Sequence, residues 1–548
     1  MKILLAFAIS LLSFTSPPAL AQHTHAAEAT APAQLLSGMG SLHHEIATRN
    51  PEAQKFFDQG LTLVYAFNHD EAVRSFRRAT ELDPKAAMPW WGIAVALGPN
   101  YNLDVDPERE KAAFDAIQKA KSLAASGPEN ERDYIAAAAT RYSDDPKPDL
   151  KKLSNDYSHA MGDLAKKYPD DPDAATIYAE SMMDLRPWGL WKLDGTPADG
   201  TLEIISVLES VLARYPDHVG ANHYYIHAVE ASPHAVWGLP SAERLGTLVP
   251  NAGHLVHMPA HIYSRIGDFE SAAKSNEAAA AVDIAYINAT GAQGIYPAMY
   301  YSHNLRFLTY AAMQDGSYEL ARKASDSLSE NVRLRAQGMP TTMTEGFLTY
   351  SLLVPVRFRK WQEILDTKAP DPKLPLMAAT WHFARGIADA ATGKLSEAET
   401  ERKSFLAAID QIPAKQKFGF DSVKSVMQIP AAMLDAQIAE AGGDRKAAIA
   451  SLQKAVAVQD GLSYNEPPDW FYSVRESLGG ALLRDGRAAE AEAVFRDDLA
   501  RNPRNGRSLF GLWQSLKAQN KTADAEWAHR EFEAAWKSAD TQLSVGDL

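Results

Sequence analysis

FFDQGLTLVYAFNHDEAVRSFRRATELDP, residues 56–84, carries large apolar residues at helical spacing on both sides of Asn68, and closes on Pro84. Two antiparallel helices joined near Asn68 satisfy the pattern. The small residues Gly60 and Ala72 let the helices approach closely, and Ala79 continues the small face. Phe56 and Phe76 fill the space between units, and Pro84, with no N–H to donate, ends the second helix.

The same order of small, aromatic and turn residues returns along the chain. Ala260, Tyr263, Gly267 and Ala272 form a unit that begins near Gly253; Gly316 and Ala321 mark another, Gly386, Gly393 and Ala398 another, and Gly443, Ala448 and Ala455 another. A clear late copy has Leu478, Gly479, Leu482, Gly486, Ala491, Phe495 and Pro503, followed by Gly511, Ala523 and Trp527. The order aromatic, Gly, Ala, aromatic, Ala, Pro resembles the tetratricopeptide consensus. The expected fold is therefore all-α, a solenoid of antiparallel helix hairpins. Its expected parts are an N-terminal helical region over 41–250, central histidine-rich repeats over 251–345 and C-terminal repeats over 346–548. Three interruptions break the period at Gly98–Asn102, Arg186–Trp191 and Gly291–Tyr301, each with aromatic residues, and inserts in solenoids tend to gather on one face. Trp188 and Trp191 either line a pocket mouth or pack a loop.

Composition narrows the function. A net charge of −14 over 548 residues leaves no basic stripe for a nucleic-acid backbone. With no cysteine, thiolate metal sites, disulfides and covalently attached haem are excluded. Met1-Lys2, the apolar run Ile3 to Phe14 and Ala19-Leu20-Ala21 read as a signal peptide over 1–21, which predicts an exported, periplasmic chain. A flexible leader is expected over 22–40, including His23 and His25. No later stretch reaches the roughly 20 apolar residues of a membrane span.

The chemistry concentrates in one segment. Eight of the 16 histidines fall between His218 and His303. His223, His227 and Glu230 lie at i, i+4 and i+7, one helical face. His254, His257 and His261 lie at i, i+3 and i+7, a second face if the helix runs through, and His303 arrives on the next helix. Two imidazoles at i and i+4 suit one metal ion. Tyr224 follows His223 where a zinc protease would carry glutamate, which disfavours that reading. The six histidines, with Glu230, could supply one closed site or a two-metal centre of copper, zinc or iron; a hydrogen-bonded polar network is the alternative. Glu180 and Asp184, at i and i+4, are candidates for orienting imidazoles or acting as general base, beside Glu230. His218 and His234 are expected in loops. His43-His44 and Asn68-His69-Asp70-Glu71 are expected outside the ligand set, the latter exposed at a turn.

The blocks Ala221 to Ser232, Gly253 to Asp268 and Phe67 to Gly98 are similar to a group of exported bacterial tetratricopeptide-repeat proteins. The repeat implies a helical solenoid that binds a peptide or protein on its concave side. The histidine blocks go beyond an ordinary peptide-binding repeat. The sequence thus points to a metalloprotein, an oxidoreductase or hydrolase acting on a small or peptidic ligand in the concave groove. A partner-binding scaffold with structural histidines, or metal storage and delivery, are its alternatives.

Overall fold

The computed structural model describes residues 33–548, so the signal segment, His23 and His25 lie outside the described residues. Helices account for about 69% of the described residues and follow one another as hairpins. The opening pair is Pro51–Tyr65 and His69–Leu82, as the sequence pattern requires. Asn50 begins it by accepting the N–H groups of Glu52 and Ala53, with Pro51 in the first turn where no N–H is needed.

Close approach explains the glycines of the repeat. A Cβ at Gly60 would come 2.6 Å from the Phe76 ring, and one at Gly92 in the next hairpin 2.5 Å from the same ring. Phe76 is therefore clamped between consecutive units. Phe495 is held in the same way by Gly479 and Gly511 near the other end. Strand pairing among the described residues is limited to a two-residue ladder, Lys417–Phe418 with Asp421–Ser422, and two isolated bridges, Asn100 with Leu103 and Trp191 with Pro197.

The described part of the leader is packed rather than flexible. Ala33 and Met39 are buried, Leu36 N–H donates to Gln59, and Asn251 Nδ2 donates to the Ser37 carbonyl. The apolar core runs from Met39 to Ile262 and again from Ile287 to Leu548, with a small cluster around Phe269 and Phe307 between them. Packing thus changes hands inside the 251–345 segment and not at its expected edges. No helix among the described residues is long and apolar enough to cross a membrane.

Curvature of the array brings distant hairpins together. Tyr65, at the end of the first helix, lies against Gly220 on Val219–Glu230, where a Cβ would meet its ring at 2.6 Å. From the other end, Tyr464 sits under the Arg265 guanidinium. Segments from both ends of the array thus reach the central hairpins.

Candidate metal centre

Three helical segments carry the six predicted histidines: Val219–Glu230, the pair Gly253–His257 and Pro259–Arg265, and Tyr301–Asp315. The second segment does not run as one helix. Pro259 has no N–H to continue the ladder, and His261 N–H bonds instead to the Met258 carbonyl. The break falls after His257, so His254 and His257 share the first short helix and His261 lies on the second. His223, His227 and His254 form one triad and His257, His261 and His303 another, with the nitrogens of each within 4.8 Å of one another. The expected single face of His254, His257 and His261 is therefore divided between two sites.

The hydrogen bonds fix which nitrogen each ring offers. His223 Nδ1 donates to the Tyr65 carbonyl at 2.7 Å. His227 Nδ1 donates to Glu230 Oε1 at 2.8 Å, and His261 Nδ1 pairs with Glu230 Oε2. His257 Nδ1 faces Asn276 Oδ1 at 2.6 Å, and the Asn276 amide is oriented by its own Nδ2 bond to the Ala272 carbonyl at 2.8 Å. That oxygen can only accept. With the proton on Nδ1, the Nε2 of each of these four rings carries a lone pair. The Nε2 atoms converge: His257 and His261 Nε2, both lone-pair bearing, are 2.8 Å apart, while His254 and His303 bring their Nε2 atoms to 3.2 Å from those of His223 and His257. His227 Nε2 has no partner among the described residues.

Two facing lone pairs, as at His257 and His261, repel unless a proton or a metal cation lies between them. Nitrogens bound at about 2.0–2.1 Å around a tetrahedral ion sit about 3.3 Å apart, close to the spacing found here. The two triads also share a wall, with ring centroids of His227 and His261 at 5.7 Å and of His254 and His257 at 5.8 Å. One phenylalanine backs each triad. Phe67 lies 4.6, 6.0 and 5.2 Å from His223, His227 and His254; Phe307 lies 5.1, 5.0 and 5.8 Å from His257, His261 and His303.

Burial keeps the rings neutral. It holds His223, His254, His257 and His303 well below the ordinary histidine value, with neighbouring imidazoles adding to the effect. His261 is the exception: burial presses it down, but the Glu230 charge raises it. Burial also works against the Glu230 carboxylate, yet His261 and His227 outweigh it and hold Glu230 down to about 2.

Glu230 was expected as a catalytic group, and the structure uses both of its oxygens to orient imidazoles of the two triads. Glu180 and Asp184 stand apart from the cluster. Asp184 pairs with Arg141 at 2.5 Å, both buried, and among the described residues no hydrogen bond joins either acid to one of the six rings. Other histidines also differ from expectation. His69 and Glu71 are buried, not exposed, because the turn at Phe67–Asn68 faces inward. His218 is buried at a helix start, where its Nδ1 accepts the Ala221 N–H and its Nε2 donates to Asp173. His44 binds the other oxygen of Asp173, and Tyr65 O–H also donates to it. His234 lies in a loop, stacked on Trp237.

All three inserts converge here. Tyr101 and Trp188 stack on each other and lie 5.3 and 5.5 Å from His227, and Tyr300 lies 5.3 Å from His254. Trp188 holds a left-handed φ of +60°, costly for a bulky residue, and reaches Phe420 of the small hairpin at 5.8 Å. Trp191 instead anchors its loop through Nε1 to the Ala228 carbonyl.

The sequence reading missed the far wall. A cavity of about 150 Å³ is lined by Arg265, Tyr310, Tyr464, Glu466, Asp469 and Trp470. Burial pushes Glu466 up to about 7 despite the pull of His261, and Tyr464 O–H donates to it. The loop carries no repeat pattern; its folding back against Arg265 brings Glu466 close enough to His261 for their charges to interact, while none of the six histidines lines the cavity itself. Asn276 is likewise unmarked in sequence.

No family model matches the chain, and no curated protein matches it. Among solved structures, the chain is similar to human IFIT1 in its dimer with m7Gppp-AAAA, at 12% identity over 89% of this chain and 91% of that one, TM-score 0.31. It is also similar to a chain of the APC/C hetero-tetramer Cut9-Hcn1, at 10% identity over 86% and 78%, TM-score 0.31. Yeast Tom70 aligns at 11% identity over 87% and 90%, TM-score 0.27.

Proposed function

We propose that this chain is an exported helical-repeat metalloprotein whose two histidine triads hold a pair of copper ions that activate dioxygen or peroxide to oxidise a small substrate. The observation that carries the reading is the convergence of Nε2 lone pairs from rings whose Nδ1 protons are already committed to Tyr65, Glu230 and Asn276.

The ligand chemistry supports copper. Three imidazoles can also hold a catalytic zinc, whereas iron sites with open positions usually include a carboxylate. Here the carboxylate within reach, Glu230, is engaged by imidazole Nδ1 atoms. Six neutral ligands leave the metal charge uncompensated, and burying charge is costly. Two divalent ions would place four positive charges beside one carboxylate; two cuprous ions place two. Imidazole ligation also suits copper chemically.

The protein's own groups then divide the work. Tyr65, Glu230 and Asn276 fix ring orientation, Phe67 and Phe307 exclude water behind each triad, and the 150 Å³ cavity beside Glu466 admits the substrate. Glu466, near neutrality at about 7, is placed to hold or release a proton on the cavity side.

Elemental analysis of protein isolated from its native compartment tests this directly. Two equivalents of copper are expected, falling to one in His223→Ala and to one in His257→Ala, since each variant opens a different triad. Folded protein that takes up no copper, zinc or iron would overturn the metal reading in favour of a partner-binding scaffold.

A further inference from the structure

From His254 a file of tyrosines leads away from the centre. The Tyr300 ring lies 5.3 Å from His254, Tyr296 stacks on Tyr300 at 5.5 Å with 19° between planes, and Tyr286 meets Tyr296 edge-on at 5.7 Å. Tyr296 is buried and Tyr286 half-buried, so the file runs from the interior toward the surface.

Each of the outer two has a proton acceptor. Tyr296 O–H donates to Asp283 at 2.8 Å, and Tyr286 O–H donates to Glu71 Oε2 at 3.1 Å. A phenol gives up an electron easily only when its proton can leave at the same time, and a hydrogen-bonded carboxylate provides that path. We propose that Tyr296 and Tyr286 form a proton-coupled electron relay to the protein surface, joined to the first triad through the Tyr300 ring, with Asp283 and Glu71 as proton acceptors.

This relay rests on the copper reading of the centre. In the balanced step, hydrogen peroxide and two tyrosines give two waters and two tyrosyl radicals. The O–O bond breaks, each phenol O–H loses one electron and one proton, and the two protons pass through Asp283 and Glu71 to the water formed. Phenolic reductants in solvent then supply two hydrogen atoms, one after the other at Tyr286; between them the Tyr296 radical takes an electron from Tyr286 and recovers its proton through Asp283, so both tyrosines are restored. Burial brings Asp283 up to about 7, which makes it a better base than an ordinary carboxylate.

Two other tyrosines near the cluster lack one of these features. Tyr101 accepts a hydrogen bond from the Trp188 backbone N–H, and among the described residues no hydrogen bond joins it to a carboxylate. Tyr65 has Asp173 but is fully buried, with no route outward.

The test mixes copper-loaded protein with hydrogen peroxide, freeze-quenches it for electron paramagnetic resonance, and maps a spin-trap adduct by peptide mass. The adduct is expected on Tyr286 and Tyr296. Tyr286→Phe should confine it to Tyr296, Tyr296→Phe should remove it from Tyr286, and Asp283→Asn should lower the radical yield about tenfold, all with two coppers retained and melting unchanged. Two bound coppers without a tyrosyl radical would overturn the relay and leave the copper reading standing. A radical that survives both Tyr→Phe changes, or that disappears in Trp188→Phe instead, would also overturn it. Failure to bind copper at all would overturn both.

Discussion

Replacing Glu230 by Gln tests how the two triads are held. The carboxylate offers two acceptors, one to His227 Nδ1 at 2.8 Å and one to His261 Nδ1. Glutamine offers one acceptor and one donor. One of the two rings must then face an N–H₂ group, and it relieves the clash by moving its proton to Nε2, where it blocks metal binding. A hydrogen bond to a charged group is worth about 1.5–3 kcal/mol. Loss of an outer partner of a ligating imidazole typically weakens metal affinity about 10–100-fold, or about 1.4–2.7 kcal/mol. The two scales agree. Glu230→Gln should therefore bind one copper about 10–100-fold more weakly and the other nearly as before, read by titration against a competing chelator with circular dichroism as the folding control. Unchanged affinity at both sites would refute the orienting role. Loss of both metals in a folded variant would refute it too, because it would make Glu230 a shared ligand.

Further predictions follow from the same geometry. Asn276→Leu removes the acceptor for His257 Nδ1 and should weaken the second triad alone, so copper stoichiometry under chelator competition falls from two toward one. Gly253→Ala places a Cβ 1.9 Å from Asp283 Oδ1; the overpacking should cost about 1–3 kcal/mol in chemical denaturation and displace His254 from the first triad. Asp173 is buried, which raises its pKa, but its bonds to His218 and His44 more than offset this and leave it depressed. A depressed carboxylate contributes stability that is present above the unfolded value of about 3.9 and is lost as pH falls below it. Asp173→Asn should cost about 3–5 kcal/mol at pH 7. It should also flatten the acid loss of stability, and denaturation at pH 3 and pH 7 with the same slope as wild type would refute this account.

Much of the centre was legible before folding was considered. The spacing of His223 and His227, and of His257 and His261, reports a shared helical face, and that relation is local. Asn276 and Glu466 left no such mark, since each acts across a hairpin or a loop that carries no period of its own. Trp188 was open between packing and a pocket mouth, and its left-handed backbone puts it against His227.

The sequence by itself determined the helical-hairpin array and the six histidines, because both depend on periodicity along one or two helices. The tertiary structure decided the rest: the division of the six between two triads and the use of Glu230 to orient rings in both. His254 and His257, three residues apart on one short helix, turn to different triads, and superhelical curvature carries the Tyr65 carbonyl to His223 across 158 residues of chain. Such curvature is the sum of small rotations at every hairpin, so no local stretch encodes which distant residues will meet.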